Sequence, residues 1–197
     1  MMTAGPLHYL LIREIVMKIP GATGSPERAD PRPVPTLVDL GCGTGAAGAA
    51  WAEACAVTPQ VVGVDIHPWA LTEAAWTYRE FGFRAKTERA AAAAATLPKS
   101  PALILAAFTV NELSDDDRAK LLPRLIERAS RGDRVLIVEP LARSAAPWWG
   151  DWAQAFRAAG GRADEWRLRV DLPPLVAKLD RAAGLNHRDV TGRSLFL

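Results

Sequence analysis

An apolar run, a turn with glycine at every second position and an alanine-rich segment follow one another at Leu37-Val38-Asp39-Leu40-Gly41-Cys42-Gly43-Thr44-Gly45-Ala46-Ala47-Gly48. This order reads as a buried strand, a tight loop and the first turn of a helix. Backbone N–H groups and the positive end of the helix dipole meet at such a junction, where they suit a polar ligand. Alternate glycines permit positive φ and remove the Cβ atoms that hold a ligand away from the backbone. The first expectation is therefore an α/β chain with a nucleotide-like cofactor at this loop.

Two cofactor classes compete for it. Gly43-Thr44-Gly45-Ala46-Ala47-Gly48 fits G-x-G-x-x-G, the dinucleotide pattern, which on its own is weak. That reading gives a nicotinamide-dependent oxidoreductase. The longer string Asp39-Leu40-Gly41-Cys42-Gly43-Thr44-Gly45 is D-x-G-x-G-x-G and resembles the first motif of the class I S-adenosylmethionine-dependent methyltransferases. A carboxylate at the strand end repels a pyrophosphate but suits a ligand carrying a sulfonium and an ammonium group. Asp39 thus favours S-adenosylmethionine.

A second segment agrees. Val61-Val62-Gly63-Val64-Asp65 reads as a buried strand ending in an acid 20 positions beyond Gly45. An acid at that distance is placed for ribose hydroxyls, with Ile66 beside the adenine; a plain helix cap is the other reading of Asp65. Gly63 to Leu71 also resembles the corresponding methyltransferase segment. The resemblance spans about residues 36–197. It implies a three-layer Rossmann-like sandwich with a mostly parallel seven-stranded sheet and an antiparallel last strand. It also implies cofactor contacts from Asp39, Gly41, Cys42, Gly43, Gly45, Asp65, Ile66 and Phe108.

The rest of the chain is consistent with one α/β domain at 36–197, preceded by an N-terminal helix and a Pro/Gly-rich linker over 1–35. Leu7, Leu10, Leu11 and Ile15 recur at helical spacing over 6–18. Strands are predicted at 36–40, 61–65, 83–87, 103–108, 134–139, 167–171 and 189–197. Helices are predicted at 46–56, from Pro68 to Gly82, from Ser114 to about 131, from Pro147 to Gly160 and over 174–183. A short helix or ordered loop is expected at 90–95, and Pro123 is expected to kink or break its helix. Alternating strands and helices argue for a sheet covered on both faces.

Composition removes other classes. Basic residues number 24 against 22 acidic, a net +2, so no global excess of positive charge points to nucleic acid. Cys42 and Cys55 are the only cysteines and His8, His67 and His187 are scattered, so neither a disulfide framework nor a metal site is expected. No apolar run approaches the ~20 residues of a membrane span. The N-terminus lacks the pattern of a secretion signal, and the chain reads as cytoplasmic. The sequence says nothing of oligomeric state.

Methyl transfer requires chiefly that a nucleophile be held in line with the methyl group. Loops at the carboxyl ends of strands face the ligand crevice, which singles out Phe108-Thr109-Val110-Asn111-Glu112-Leu113. Asn111 is the candidate to orient an acceptor, and Glu112 to act as base or bind a cation. Glu139, closing the fifth strand, and the indoles of Trp148 and Trp149 are candidates for the acceptor side; the indoles read equally as a helix face with Trp152. Trp51, Trp69, Trp76 and Trp166 read as packing. A small-molecule acceptor is favoured, with RNA as the alternative. Residues 107–115, Arg118 and Leu136-Ile137-Val138-Glu139-Pro140 are similar to methyltransferase-like proteins of ribosomal small-subunit assembly. A catalytically silent cofactor-binding scaffold is the third reading.

Overall fold

Strand pairing radiates from the glycine-loop strand. In this computed structural model, which describes residues 4–24, 36–99, 101–142 and 146–197, β1 (Thr36–Leu40) pairs in parallel with β2 (Gln60–Asp65) on one side and β4 (Ala102–Ala107) on the other. β2 continues to β3 (Ala85–Arg89) and β4 to β5 (Arg134–Glu139), both in parallel. β7 (Asp189–Phe196) enters antiparallel between β5 and β6 (Arg162–Arg169). The sheet order is β3-β2-β1-β4-β5-β7-β6, with only β7 reversed. Topology changes direction between β1 and β4, and ligands bind at the carboxyl ends of strands on either side of such a point.

Helices cover both faces. α1 (Ala4–Lys18), α2 (Ala46–Ala54) and α3 (Pro68–Glu80) pack on one side, where Ile12, Ile15, Trp51 and Tyr78 are fully buried. α4 (Asp115–Ser130) and α5 (Trp149–Ala158) pack on the other through Leu121, Leu125, Trp152 and Phe156. α6 (Pro174–Ala182) joins β6 to β7. Small residues allow close approach: α2 reads AAGAAWAEA, and a Cβ at Gly48 would lie 2.5 Å from Asp39 Oδ2. α1 is part of this core rather than an appendage. The Trp51 indole donates to the Ala22 carbonyl at 3.0 Å, holding the turn after α1.

α4 begins as its sequence dictates. The Ser114 hydroxyl accepts from Asp117 N at 3.1 Å, and three acids occupy the first turn. The helix runs unbroken through Pro123 to Ser130. β3 lies two residues later than its expected position. β6 begins five residues earlier than expected, directly after Gly160 and Gly161; Arg162, Asp164 and Glu165 obscure an alternation that buries Trp166 and Leu168 against the core. The Trp166 indole donates to Ser194 Oγ at 2.8 Å. Trp69 and Trp76 are not core residues; they stand 59% and 53% exposed on the outer face of α3. Residues 25–35 of the expected linker lie outside the described residues. Among those described, no helix is long and apolar enough to cross a membrane.

Candidate active site

The glycine loop is held from within. Gly41 N and Cys42 N both donate to the Val64 carbonyl, at 2.8 and 2.9 Å, and Gly45 N donates to Cys42 O at 2.8 Å. Gly43 N donates to Asp65 Oδ2 at 3.0 Å, and Gly48 N to Asp39 Oδ2 at 3.0 Å. Most N–H groups expected to cradle a ligand are therefore spent shaping the loop. Positive φ at Gly41, Gly43 and Gly45 makes this folding-back possible. Thr109, which sequence reading passed over, straps the loop to β4. Its buried hydroxyl lies 3.0 Å from Leu40 O, 3.3 Å from Gly41 O and 3.1 Å from Ala107 O.

Asp39 lies beneath the loop with no exposure. Its Oδ2 accepts from Gly48 N and, at 3.1 Å, from the Tyr78 hydroxyl; Oδ1 has no hydrogen-bond partner among the described residues. Burial raises its carboxyl to about 7, against the opposing pull of the Tyr78 and Gly48 hydrogen bonds. Tyr78 was missed in the sequence, although Leu71, Ala74 and Tyr78 form one stripe of α3. Cys42 is buried, and burial likewise pushes its thiol up.

Asp65 stands half-buried at the end of β2. One oxygen accepts from Gly43 N and the other from His67 N at 2.9 Å. Each carboxylate oxygen has a further lone pair. Ile66 beside it is 55% exposed.

Just after β4, Phe108 takes φ 57, the one positive φ at a non-glycine among the described residues. Bulky residues adopt this region only where surroundings enforce it. Here Phe108 N donates to Val138 O at 2.7 Å, and the His8 ring of α1 stacks on the Phe108 ring at 3.8 Å and 15°. Burial lowers the His8 pKa. His8, read as structural or solvated from sequence, thus packs against Phe108.

Glu139, expected on the acceptor side, is fully buried and holds the loop after β4 instead. Its Oε1 accepts from Val110 N at 2.8 Å and Asn111 N at 3.2 Å. Burial lifts its carboxyl to about 7, opposed by these N–H groups and by Arg193. Arg193 in β7 lies opposite Glu139, and its guanidinium stacks 4.3 Å from the Trp149 ring centroid. Arg118 completes the hold, donating to Val110 O at 3.1 Å and to Leu113 O.

The Trp148 indole N–H donates to Asn111 Oδ1 at 3.1 Å. Indole nitrogen is a donor only, so the contacting amide atom must be oxygen. Asn111 is thereby fixed with its NH₂ turned away from Trp148. Glu112 is exposed. Trp148 and Trp152 rings meet edge to face at 5.0 Å, with Trp152 buried. The structure thus brings together Asn111, Trp148, Trp149 and Glu139 at the ends of β4 and β5, with the glycine loop, Asp65 and Ile66 at the ends of β1 and β2.

Residues 37–132 match the family model described as a methyltransferase domain. That stretch of the chain carries a methyltransferase domain. The family match indicates S-adenosylmethionine as the cofactor. The donor set fits it: a buried carboxylate with one unpartnered oxygen and a second acid at a strand end match a ligand bearing two cations and a ribose. No protein of curated function matches the sequence significantly. Solved structures share the fold. The mitomycin 7-O-methyltransferase is 15% identical with TM-score 0.59, over 95% of this chain and 53% of its own. The chain thus spans about half the length of that protein. Precorrin-6y C5,15-methyltransferase from Geobacter metallireducens is 9% identical, with TM-score 0.58 over 95% of this chain and 86% of its own. An S-adenosylmethionine-dependent methyltransferase from Aquifex aeolicus is 15% identical, with TM-score 0.54 over 95% and 96%.

Proposed function

We propose that this methyltransferase acts on a small molecule that presents a hydrogen-bond-accepting oxygen to Asn111. The observation carrying this reading is the Trp148–Asn111 hydrogen bond, which commits the amide to offering its NH₂ donors. An acceptor with a hydroxyl, carbonyl or carboxylate oxygen next to its nucleophile satisfies those donors.

Placement supports the following roles. Asp65 holds the ribose hydroxyls on its remaining lone pairs, and Ile66 lies against the adenine. Asp39 offers Oδ1 to the cationic end of the cofactor beneath Gly41, Cys42, Gly43 and Gly45. Phe108 and the indoles of Trp148 and Trp149 exclude water. When bound, the sulfonium supplies an electrophilic methyl group. Asn111 holds the nucleophile in line with it, the main source of rate in such a transfer. Glu112, an exposed carboxylate on the same turn, takes the proton of an acceptor that must lose one. Glu139 positions this turn through Val110 N and Asn111 N without meeting the acceptor.

Isothermal titration with S-adenosylmethionine and its demethylated product tests the cofactor half. Asp65→Ala is expected to raise Kd more than tenfold, about 1.4 kcal/mol. No heat from either ligand at millimolar concentration overturns the reading. The acceptor half is tested by tritiated methyl transfer to fractionated small metabolites and to total RNA. Asn111→Ala is expected to lower kcat/KM at least tenfold while leaving the cofactor Kd within twofold. Label entering RNA alone moves the reading to an RNA methyltransferase. Cofactor binding with no label in any fraction leaves a binding scaffold.

A further inference from the structure

β3 ends the sheet with an unpaired edge whose sequence is complementary to itself. Its residues read Ala85-Lys86-Thr87-Glu88-Arg89, with Ala85, Lys86 and Arg89 exposed. Val61 N donates to Arg84 O at 2.9 Å and Ala90 N donates to Asp65 O at 3.2 Å. Even-numbered residues therefore turn their backbone groups toward β2. Ala85, Thr87 and Arg89 turn theirs outward, since backbone direction alternates along a strand.

An edge of this kind accepts another strand unless its side chains forbid it. Antiparallel pairing with a second copy about a two-fold axis allows five centres on this strand. Centred on residue 85, Arg84 faces Lys86. Centred on 86, 88 or 89, Lys86, Glu88 or Arg89 faces itself. Each of these sets like charges directly opposite, which destabilises the pair. Centred on Thr87, Lys86 of each copy faces Glu88 of the other. The same centre places Thr87 against Thr87 and Ala85 against Arg89, so every outward N–H meets an outward C=O. Lys86 and Glu88 then occupy the non-hydrogen-bonded sites, where opposed side chains are closest.

The helix beside this edge carries an exposed indole. Trp76 is 53% exposed and lines a mixed polar and apolar surface groove with Leu71, Thr72, Glu73, Ala75, Arg79 and Thr87. A two-fold axis through Thr87, normal to the sheet, sets α3 of both copies side by side on one face. Trp76 of each copy then turns toward the other across the axis.

We propose that two copies of the chain pair through β3 about Thr87, joining two seven-stranded sheets into one. The cofactor crevices, at the carboxyl ends of the parallel strands, then open on opposite edges of the combined sheet. Each copy carries its own complete crevice. This pairing does not rest on the acceptor reading above.

Sedimentation velocity of the full chain from about 1 to 300 µM tests it. The wild type is expected to pass from 21.2 kDa toward twice that mass. Lys86→Glu and Glu88→Lys, each alone, are expected to weaken association at least tenfold by setting like charges opposite. The double swap, Lys86→Glu with Glu88→Lys, reverses every pair and is expected to return Kd to within threefold of wild type. Circular dichroism melts verify that each variant is folded. A wild type that stays monomeric throughout overturns the proposal. So does a dimer indifferent to Lys86→Glu, or one that the double swap fails to restore.

Discussion

Gly41→Ala is expected to unfold in urea with a stability lower than wild type by roughly 2–5 kcal/mol, whereas Gly43→Ala is expected to lose only about 1–2 kcal/mol. Both glycines have positive φ, at 70° and 52°, so both variants bear the cost of a left-handed alanine. They differ in what the new methyl meets. At Gly43 there is open space, while at Gly41 it falls 2.3 Å from Thr109 Oγ1 and 2.4 Å from Thr109 Cγ2. Thr109 cannot retreat without breaking its hold on the Leu40, Gly41 and Ala107 carbonyls, in a site that is 7% exposed. Overpacking against a fixed neighbour adds to the backbone term. Equal losses in the two variants would show that the strap yields, and the account of the loop would fail.

Asp39→Asn is expected to gain stability over wild type as pH rises, by on the order of 3–4 kcal/mol between pH 4 and pH 8. Burial places the Asp39 carboxyl at about 7 in the folded chain, above its ordinary 3.8. Between those values the folded state binds a proton that the unfolded state releases. Wild-type stability from this group is therefore full below pH 4 and lost as pH rises through 7. Asparagine keeps an oxygen for Gly48 N and the Tyr78 hydroxyl but never ionises. Glu139 has the same direction and is present in both proteins, so it cancels from the difference. Urea melts at successive pH values read the result; parallel curves for the two proteins would refute it.

Much of the fold is legible because each element is locally self-consistent. Buried strands such as β4 are continuous apolar runs, and Ser114 with its three acids marks a helix start that no tertiary contact needs to enforce. β6 was not legible in full, since an edge strand with one covered face alternates only weakly, and its charges resemble a loop. Trp69 and Trp76 misled for a related reason: side-chain type says core, but only the third dimension shows which face of α3 meets the sheet. The cofactor side of the site was legible in spacing, from Asp39 through the glycines to Asp65. Its working was not. That the loop's N–H groups are turned inward depends on Val64 and Asp65, whose approach is set by strand register. Thr109, Tyr78, His8 and Arg193 act across 39 to 100 residues of sequence, and Arg118 within a turn, where no local pattern announces them. Glu139 was found as a strand-end acid, yet its burial follows from β7 covering the far side of β5.

The placement of β7 has a consequence for the nascent chain. Pairing of β1, β2 and β4 draws on segments made early, and β5 adds to them in sequence order. Until residues 189–197 are synthesised, however, β5 ends the sheet with Leu136, Val138 and their neighbours along an open ladder. An apolar strand with unpaired backbone groups is a template for aggregation. β6 cannot shield it, because β6 bonds only to β7. Completion of the sheet is thus delayed until after translation of most of the domain, and its most vulnerable interval lies between the emergence of β5 and the arrival of β7.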